Sequence, residues 1–315
     1  MNEKDLAKLA KPELLIGAIE DAMLCYEGGA FQMPLRMHLK DKENTHLLMP
    51  AITKDAYAVK LVSVNPDNKK LRQSIIHGLV TLFNKQTGAP VAIFDGGKLT
   101  ALRTAAVGAT SIKYLSNQNA SVLGIVGLGA QGIHVAIMTA QVRPIKRIMI
   151  FNYHSIQSIA FAGHIKQVLG IEVITCKDIN DLAKRSEIII TATNSTSPVL
   201  PDDIALYQKQ CICAIGSYTP EMQELPNAVF EKATKLYCDT LHAKQETGDI
   251  INPLKLGLIE EEEISTIASL IKSNTIIEDE FTCFKSVGMA LFDLFVAKAF
   301  YKSANDKGIG QIMKL

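Results

Sequence analysis

Five short apolar runs, at residues 122–126, 147–151, 171–175, 187–192 and 211–215, alternate with longer stretches at 131–142, 155–169 and 178–184 whose apolar positions recur at helical spacing. This β-α-β-α rhythm predicts parallel strands joined by crossover helices. The expected fold class is α/β, with a doubly wound parallel sheet covered by helices on both faces. The front of the chain reads differently. Residues 11–27 predict an amphipathic helix closed by Gly28-Gly29, and 57–64, 79–84 and 91–94 predict short strands. Asn65-Pro66-Asp67, Thr87-Gly88 and Asp95-Gly96-Gly97 supply the turns. An alanine-rich helical pattern follows from Leu102 to Leu115. Near residue 280 the rhythm breaks again, and Ser286 to Lys302 predicts a helix with one apolar side that returns to the front of the chain. The expected organisation is a discontinuous α+β domain, residues 1–116 and 286–315, around a doubly wound domain, residues 117–285.

Length and composition agree with two cored domains: 315 residues, 48% of them hydrophobic. The formal net charge is +1 and no basic block occurs, so neither nucleic acid nor an anionic membrane is an expected partner. No run of about 18 apolar residues is present to span a membrane. The N-terminus is charged from Glu3 onward and has no signal-length apolar core, which points to a cytoplasmic setting. The six cysteines include no Cys-x-x-Cys pair. Cys211 and Cys213 alternate inside an apolar run and read as small core residues, so no metal site or disulfide framework is expected. Glu260 to Glu263 reads as the solvated first turn of a helix.

The most informative stretch is Val122-Leu-Gly-Ile-Val-Gly127-Leu-Gly129-Ala130-Gln131-Gly132. An apolar strand enters Gly-x-Gly-x-x-Gly and a helix leaves it. Gly127 permits the tight turn, Gly129 lets backbone approach a pyrophosphate, and Gly132 lets the helix lie close on the strand. Free N–H groups at the helix start then face the anion. This is the Rossmann fingerprint, and it predicts a nicotinamide dinucleotide. The second strand ends Ile150-Phe151-Asn152-Tyr153-His154 without the carboxylate that takes a ribose 2′-hydroxyl in NAD-selective sites. Its absence favours NADP(H) over NAD(H), with His154, Arg143 or Arg147 as the available positive groups.

The cofactor carries the redox chemistry, so the protein must hold a substrate. Lys60 lies inside an apolar strand and Arg103 among small apolar residues at a helix start. Both are costly placements unless an anion compensates. Arg36 is a third candidate. The alternative is that Arg36 and Lys60 are surface residues and that Arg103 pairs internally. His77, ahead of a strand, reads as a proton donor or as a core histidine. Asp239, Glu246 and Asp249 read as surface loop residues. No Gly-x-Ser-x-Gly, His-Glu-x-x-His or Walker lysine occurs to carry hydrolase or NTPase chemistry.

Several segments together resemble the ornithine cyclodeaminase/mu-crystallin family across nearly the whole chain. They are Met49-Pro50-Ala51, Lys60, Val64-Asn65-Pro66-Asp67-Asn68, Asp95 through Ala106, Gly127 through Gly132, Thr191 through Ser195, Gly216-Ser217 with Glu224-Leu225, and Phe284 through Gly288. The resemblance implies a homodimer, each subunit with a split substrate domain and a Rossmann domain. It implies that Arg36, Lys60 and Arg103 hold a substrate α-carboxylate. It also implies that Gly129, Ala130, Gln131, Gly132, Asn152, Tyr153, His154, Thr193, Ser286 and Gly288 line the cofactor site, with Thr104 joining them. Cyclodeaminases of the family resemble one another in an aspartate, then a lysine four positions on, in the loop ending Glu-Leu; here those positions are Tyr218 and Met222. That departure turns the expectation towards an NAD(P)H-dependent reductase of cyclic α-imino acids. Lys60 is the candidate for positioning or proton supply, and His77 and Glu246 are its rivals. Ornithine cyclodeaminase, amino-acid dehydrogenase and a non-catalytic nucleotide-binding protein remain alternatives at this point.

Overall fold

The structure is a computed structural model that describes residues 1–151 and 155–313. Two compact units divide the chain: Met1–Arg103 with Met289–Leu315, and Thr104–Gly288. The elements run α1 (Glu3–Leu9), α2 (Pro12–Gly28), β1 (Phe31–Gln32), β2 (Met37–Asp41), β3 (Asn44–Thr53), β4 (Ala56–Val64), β5 (Ile76–Asn84), β6 (Pro90–Asp95) and α3 (Gly96–Leu115). They continue with β7 (Val122–Val126), α4 (Ala130–Val142), β8 (Arg147–Phe151), α5 (Ser155–Leu169), β9 (Glu172–Thr175), α6 (Ile179–Arg185), β10 (Ile188–Thr191) and β11 (Cys211–Ala214). The last are α7 (Asn227–Lys232), β12 (Leu236–Cys238), α8 (Ala243–Glu246), α9 (Gly248–Leu256), β13 (Ile264–Thr266), α10 (Ala268–Ser273), β14 (Thr282–Lys285) and α11 (Ala290–Lys307).

The first unit holds an antiparallel sheet ordered β1-β3-β4-β5-β6, with β2 also paired to β3. One face is the core. Its side chains, among them Leu47, Met49, Ala58, Val62, Val80, Leu82 and Phe94, are buried, and the helices of this unit, α11 above all, lie against it. The other face is solvent-facing yet carries an apolar row. Register aligns Met37, Leu48, Leu61 and Leu79; Met37, Leu61 and Leu79 are 56%, 47% and 51% exposed.

The second unit is a parallel sheet ordered β13-β12-β14-β11-β10-β7-β8-β9. Its inner strands are apolar on both faces because helices cover both sides. The chain reverses direction in the sheet order between β7 and β10, where open α/β sheets bind ligands beyond their strand ends. Among the described residues no helix is long and apolar enough to cross a membrane.

Departures from the sequence expectation have local causes. The first unit boundary falls inside α3, because the helix begins at Gly96 and its early turns belong to the first unit. The second falls after Gly288 rather than at 285/286. Strands β12, β13 and β14 have only three or four residues each, too short to show a period. The glutamate run makes a single 3-10 turn, Glu261–Glu263, and then enters β13. The last helix starts at Ala290, because Asp239 holds the Ser286 hydroxyl and the Gly288 N–H and Gly288 takes φ +77°, outside the helical range.

Candidate active site

In the first unit, strand alternation places Lys60 on the core face. Its register row is Met49, Lys60, Val80 and Phe94, and Lys60 is 2% exposed. Its ammonium donates to Asp293 Oδ2 at 2.8 Å. Arg103 donates from Nε to Asp293 Oδ1 at 3.3 Å. The two cations therefore share one carboxylate from the first turn of α11. The alternative that Arg103 pairs internally is found, whereas Lys60 is buried and paired rather than a surface residue. One carboxylate cannot neutralise two cations, however, and the Nη atoms of Arg103 make no hydrogen bond among the described residues. Arg36, half-buried between β1 and β2, adds its charge to the same field. Burial pushes the Lys60 ammonium down to about 8; Asp293 opposes the drop, and Arg103 and Arg36 deepen it. A carboxylate is the ligand such a group can take: it restores charge balance and matches a guanidinium fork.

His77 does not join this group. It is exposed, and its row of Leu39, His46, Ser63 and His77 lies on the sheet face opposite Lys60. Its exposure corrects the core reading of His77. Glu246 is half-buried at the end of α8, in the other unit.

In the second unit, the glycine turn has the geometry a dinucleotide requires. Gly127 sits at φ +102°, and a Cβ there would strike the carbonyl of Ala192. A Cβ on Gly132 would run into the Gly127 carbonyl. Gly129, which N-caps α4, faces open space instead, with no heavy atom within 4 Å of a Cβ position. That space is where phosphate oxygens can meet the free N–H groups of Ala130, Gln131 and Gly132. Gln131 Oε1 is buried without a partner among the described residues, an acceptor waiting for a donor. These residues fit a dinucleotide.

Other expected cofactor residues are placed as follows. Thr104, buried, opens the second unit. Thr193 is tied to Glu224 through its N–H at 2.6 Å and its hydroxyl at 2.9 Å. Ser286 donates to Asp239 Oδ2 at 2.7 Å, as does the Gly288 N–H at 2.7 Å. Asn152, Tyr153 and His154 lie outside the described residues. Arg143 is withdrawn as a phosphate partner. Its guanidinium binds the carbonyls of Ile112, Lys113 and Ser116 and so caps the end of α3. Arg147 is withdrawn too: it begins β8, at the strand end away from the glycine turn. Asp239 and Asp249, read as surface residues, are both fully buried. Cys211 and Cys213 are core residues, as their alternation implied, and burial pushes their thiols up to about 11 and about 12.

Sequence reading missed Asp293 and the anchoring role of Asp239. The signal for Asp293 was present: a lone acid among Leu291, Phe292, Leu294 and Phe295 on a helix with an apolar side.

A dinucleotide-type Rossmann unit accompanied by a buried, incompletely neutralised cation group defines a nucleotide-dependent protein acting on small carboxylates. The profile of the ornithine cyclodeaminase/mu-crystallin family matches residues 2–308, and the chain belongs to that family. It is 36% identical over 277 residues to a Δ(1)-pyrroline-2-carboxylate reductase of Bacillus cereus, covering 86% of this chain and 85% of that one. The Thermococcus litoralis Δ(1)-pyrroline-2-carboxylate reductase, solved with NADH and L-proline, superposes with a TM-score of 0.93 at 30% identity over 99% of both chains. An archaeal alanine dehydrogenase dimer with bound NAD gives a TM-score of 0.91 at 28% identity, covering 100% of this chain and 98% of that one.

Proposed function

We propose that this chain is a nicotinamide-dinucleotide-dependent reductase of cyclic α-imino acids, converting Δ1-pyrroline-2-carboxylate to proline, with Δ1-piperideine-2-carboxylate to pipecolate as a second reaction. The observation that carries this reading is the group of Lys60 and Arg103 sharing one carboxylate, Asp293, in a chain that also has a dinucleotide turn. The Bacillus and Thermococcus relatives support it, the latter through its bound proline and NADH. The absence of a carboxylate at Tyr218 speaks against cyclodeamination, which must hold a second, cationic amine and remove its proton.

In the proposed mechanism Arg103 takes the substrate α-carboxylate through its Nη atoms, with Lys60 and Arg36 completing the charge balance. Asp293 keeps Lys60 and Arg103 in place without saturating them. When bound, the reduced nicotinamide supplies the hydride that ends on the imine carbon. The imine nitrogen must gain one proton, and Lys60, with its lowered proton affinity, positions the substrate or supplies that proton. Gly127, Gly129 and Gly132 would hold the pyrophosphate of a bound dinucleotide, and the unpaired Gln131 oxygen would accept a hydrogen bond from it. The chain favours NADP(H) over NAD(H), because no carboxylate stands at residues 152–154 to repel a 2′-phosphate; with Arg143 and Arg147 withdrawn, His154 is the remaining positive candidate.

The test is NADPH and NADH oxidation by the purified protein with Δ1-pyrroline-2-carboxylate. Turnover with the imine, and none with L-ornithine plus NAD⁺, is expected. Proline and ammonia from ornithine, turnover only with a keto acid plus ammonia, or tight NADPH binding with no turnover would each overturn the proposal.

A homodimer is part of the same reading. The apolar row Met37, Leu61 and Leu79 is too exposed for a free surface, and its sheet face suits a second copy. The archaeal relative is a dimer. Leu61→Glu combined with Leu79→Glu is expected to convert dimer to monomer in light scattering, with the fold retained. An unchanged mass would place the interface elsewhere. A cytoplasmic setting fits the six free cysteines.

A further inference from the structure

Lys285, Glu224 and Asp249 are fully buried in the second unit. Lys285 Nζ lies 2.9 Å from Asp249 Oδ2 and 3.7 Å from Glu224 Oε2. Burying ions is expensive unless the geometry compensates, and the position of Glu224 shows what the arrangement holds. Its Oε1 accepts from the Thr193 N–H at 2.6 Å and the Thr193 hydroxyl at 2.9 Å. Its Oε2 accepts from the N–H groups of Gly216 at 2.8 Å and Ser217 at 3.1 Å. One carboxylate thus ties together the segments that follow β10 and β11. Asp249 Oδ1 in turn accepts from the N–H groups of Glu224 at 2.7 Å and Leu225 at 2.9 Å, which seats the backbone carrying Glu224.

The tied segment abuts the glycine turn. A Cβ on Gly127 would strike Ala192 and come within 3.0 Å of Thr193 Cγ2. Gly216 is equally tight: a Cβ there would strike the Thr193 backbone and lie 2.6 Å from Glu224 Oε1. A continuous packed path therefore runs from Lys285 and Asp249 through Glu224 and Thr193 to Gly127.

We propose that Glu224, facing the Lys285 ammonium at 3.7 Å and seated by Asp249, is a positioning residue for dinucleotide binding, holding Ala192-Thr193 against Gly127 so that the turn keeps its phosphate-binding shape. The proposal rests on the reading of Gly127 to Gly132 as a dinucleotide site. The side chain acts through Thr193, so its loss weakens the nucleotide and spares the imino acid.

The experiment titrates NADPH, NADH and ADP-ribose into the wild type and Glu224→Gln, followed by steady-state kinetics with the nucleotide the wild type binds more tightly. The substitution keeps shape and leaves Lys285 paired with Asp249, so no lone buried ion results. The new amide nitrogen cannot accept, so one of the two tied segments loses its bonds. Expected is a rise of about tenfold or more in Kd for every nucleotide that the wild type binds, with the imino-acid KM and the kcat at saturating nucleotide within about threefold of wild type. A folded Glu224→Gln with wild-type Kd overturns the proposal, and so does an equal rise in the imino-acid KM, which would signal general loosening. If Glu224→Gln does not fold, Glu224→Asp, charged but one methylene short of both segments, decides by the same readout. Wild-type protein that binds none of NADPH, NADH and ADP-ribose removes the dinucleotide reading itself, before any variant is made.

Discussion

Arg103→Met is expected to lower kcat/KM for Δ1-pyrroline-2-carboxylate by about a thousandfold, most of it in KM. The Arg103 side chain is 8% exposed and commits only Nε to Asp293. Its terminal nitrogens are left for a substrate carboxylate in a poorly solvated setting. Truncating one partner of a buried charge-assisted pair costs about 2–5 kcal/mol, and each 1.4 kcal/mol or so is tenfold. Lys60 and Asp293 remain paired at 2.8 Å, so the variant keeps a neutral pair and should fold. Arg103→Lys should recover little, because an ammonium cannot reproduce a planar two-point clamp. NADH affinity should stay near wild type, since Gly127, Gly129 and Gly132 belong to the other unit. Steady-state kinetics beside a circular dichroism spectrum checks this. A folded variant with wild-type KM for the imine would mean that the carboxylate is held elsewhere.

Lys60→Met is expected to reduce kcat/KM by about a hundredfold to ten-thousandfold and to abolish a pH dependence centred near 8. Burial lowers the proton affinity of Lys60 from its ordinary value of 10.5 to about 8. The ammonium is complete below about 8 and is lost as pH rises through it. Imine reduction, which needs the cation and a proton, should be flat at lower pH and fall above about 8. Proline oxidation with the oxidised dinucleotide needs the neutral amine as base, so it should rise across the same window. The profile of kcat/KM reports the free enzyme. A bound substrate carboxylate adds a favourable charge, so the profile of kcat should break at higher pH. If Lys60→Met keeps kcat near wild type, Lys60 is not the proton source.

The two cations of the substrate group could be read in advance because each breaks a local pattern. Lys60 interrupts a strand whose alternate members, Ala58 and Val62, are core residues, and Arg103 sits among alanines. A charge in an apolar pattern needs a counter-charge. Which counter-charge it is cannot be read locally. Asp293 lies 233 positions from Lys60 and 190 from Arg103, and only the return of α11 onto the sheet brings them together. His77 shows the opposite case. It stands at a strand start, where position alone says nothing of the face, and register turns it to solvent. Arg143 looked available for a phosphate because its use, capping α3, depends on carbonyls about thirty positions away. Asp239 and Asp249 looked like loop residues because the first follows a three-residue strand and the second opens a short helix, and their partners, Ser286 and Gly288 for Asp239, Glu224 and Lys285 for Asp249, come from distant sequence.

The dinucleotide turn was complete in the chain's own order of strand, glycines and helix, since turn conformation and helix-start dipoles are local properties. The alternating strands and helices were likewise set by short-range periodicity. Charge balance was not. The sharing of Asp293 by Lys60 and Arg103, and the tying of Thr193 and Gly216 by Glu224, exist only after folding, because electrostatic and hydrogen-bond partners are chosen by distance in space and by exclusion of water.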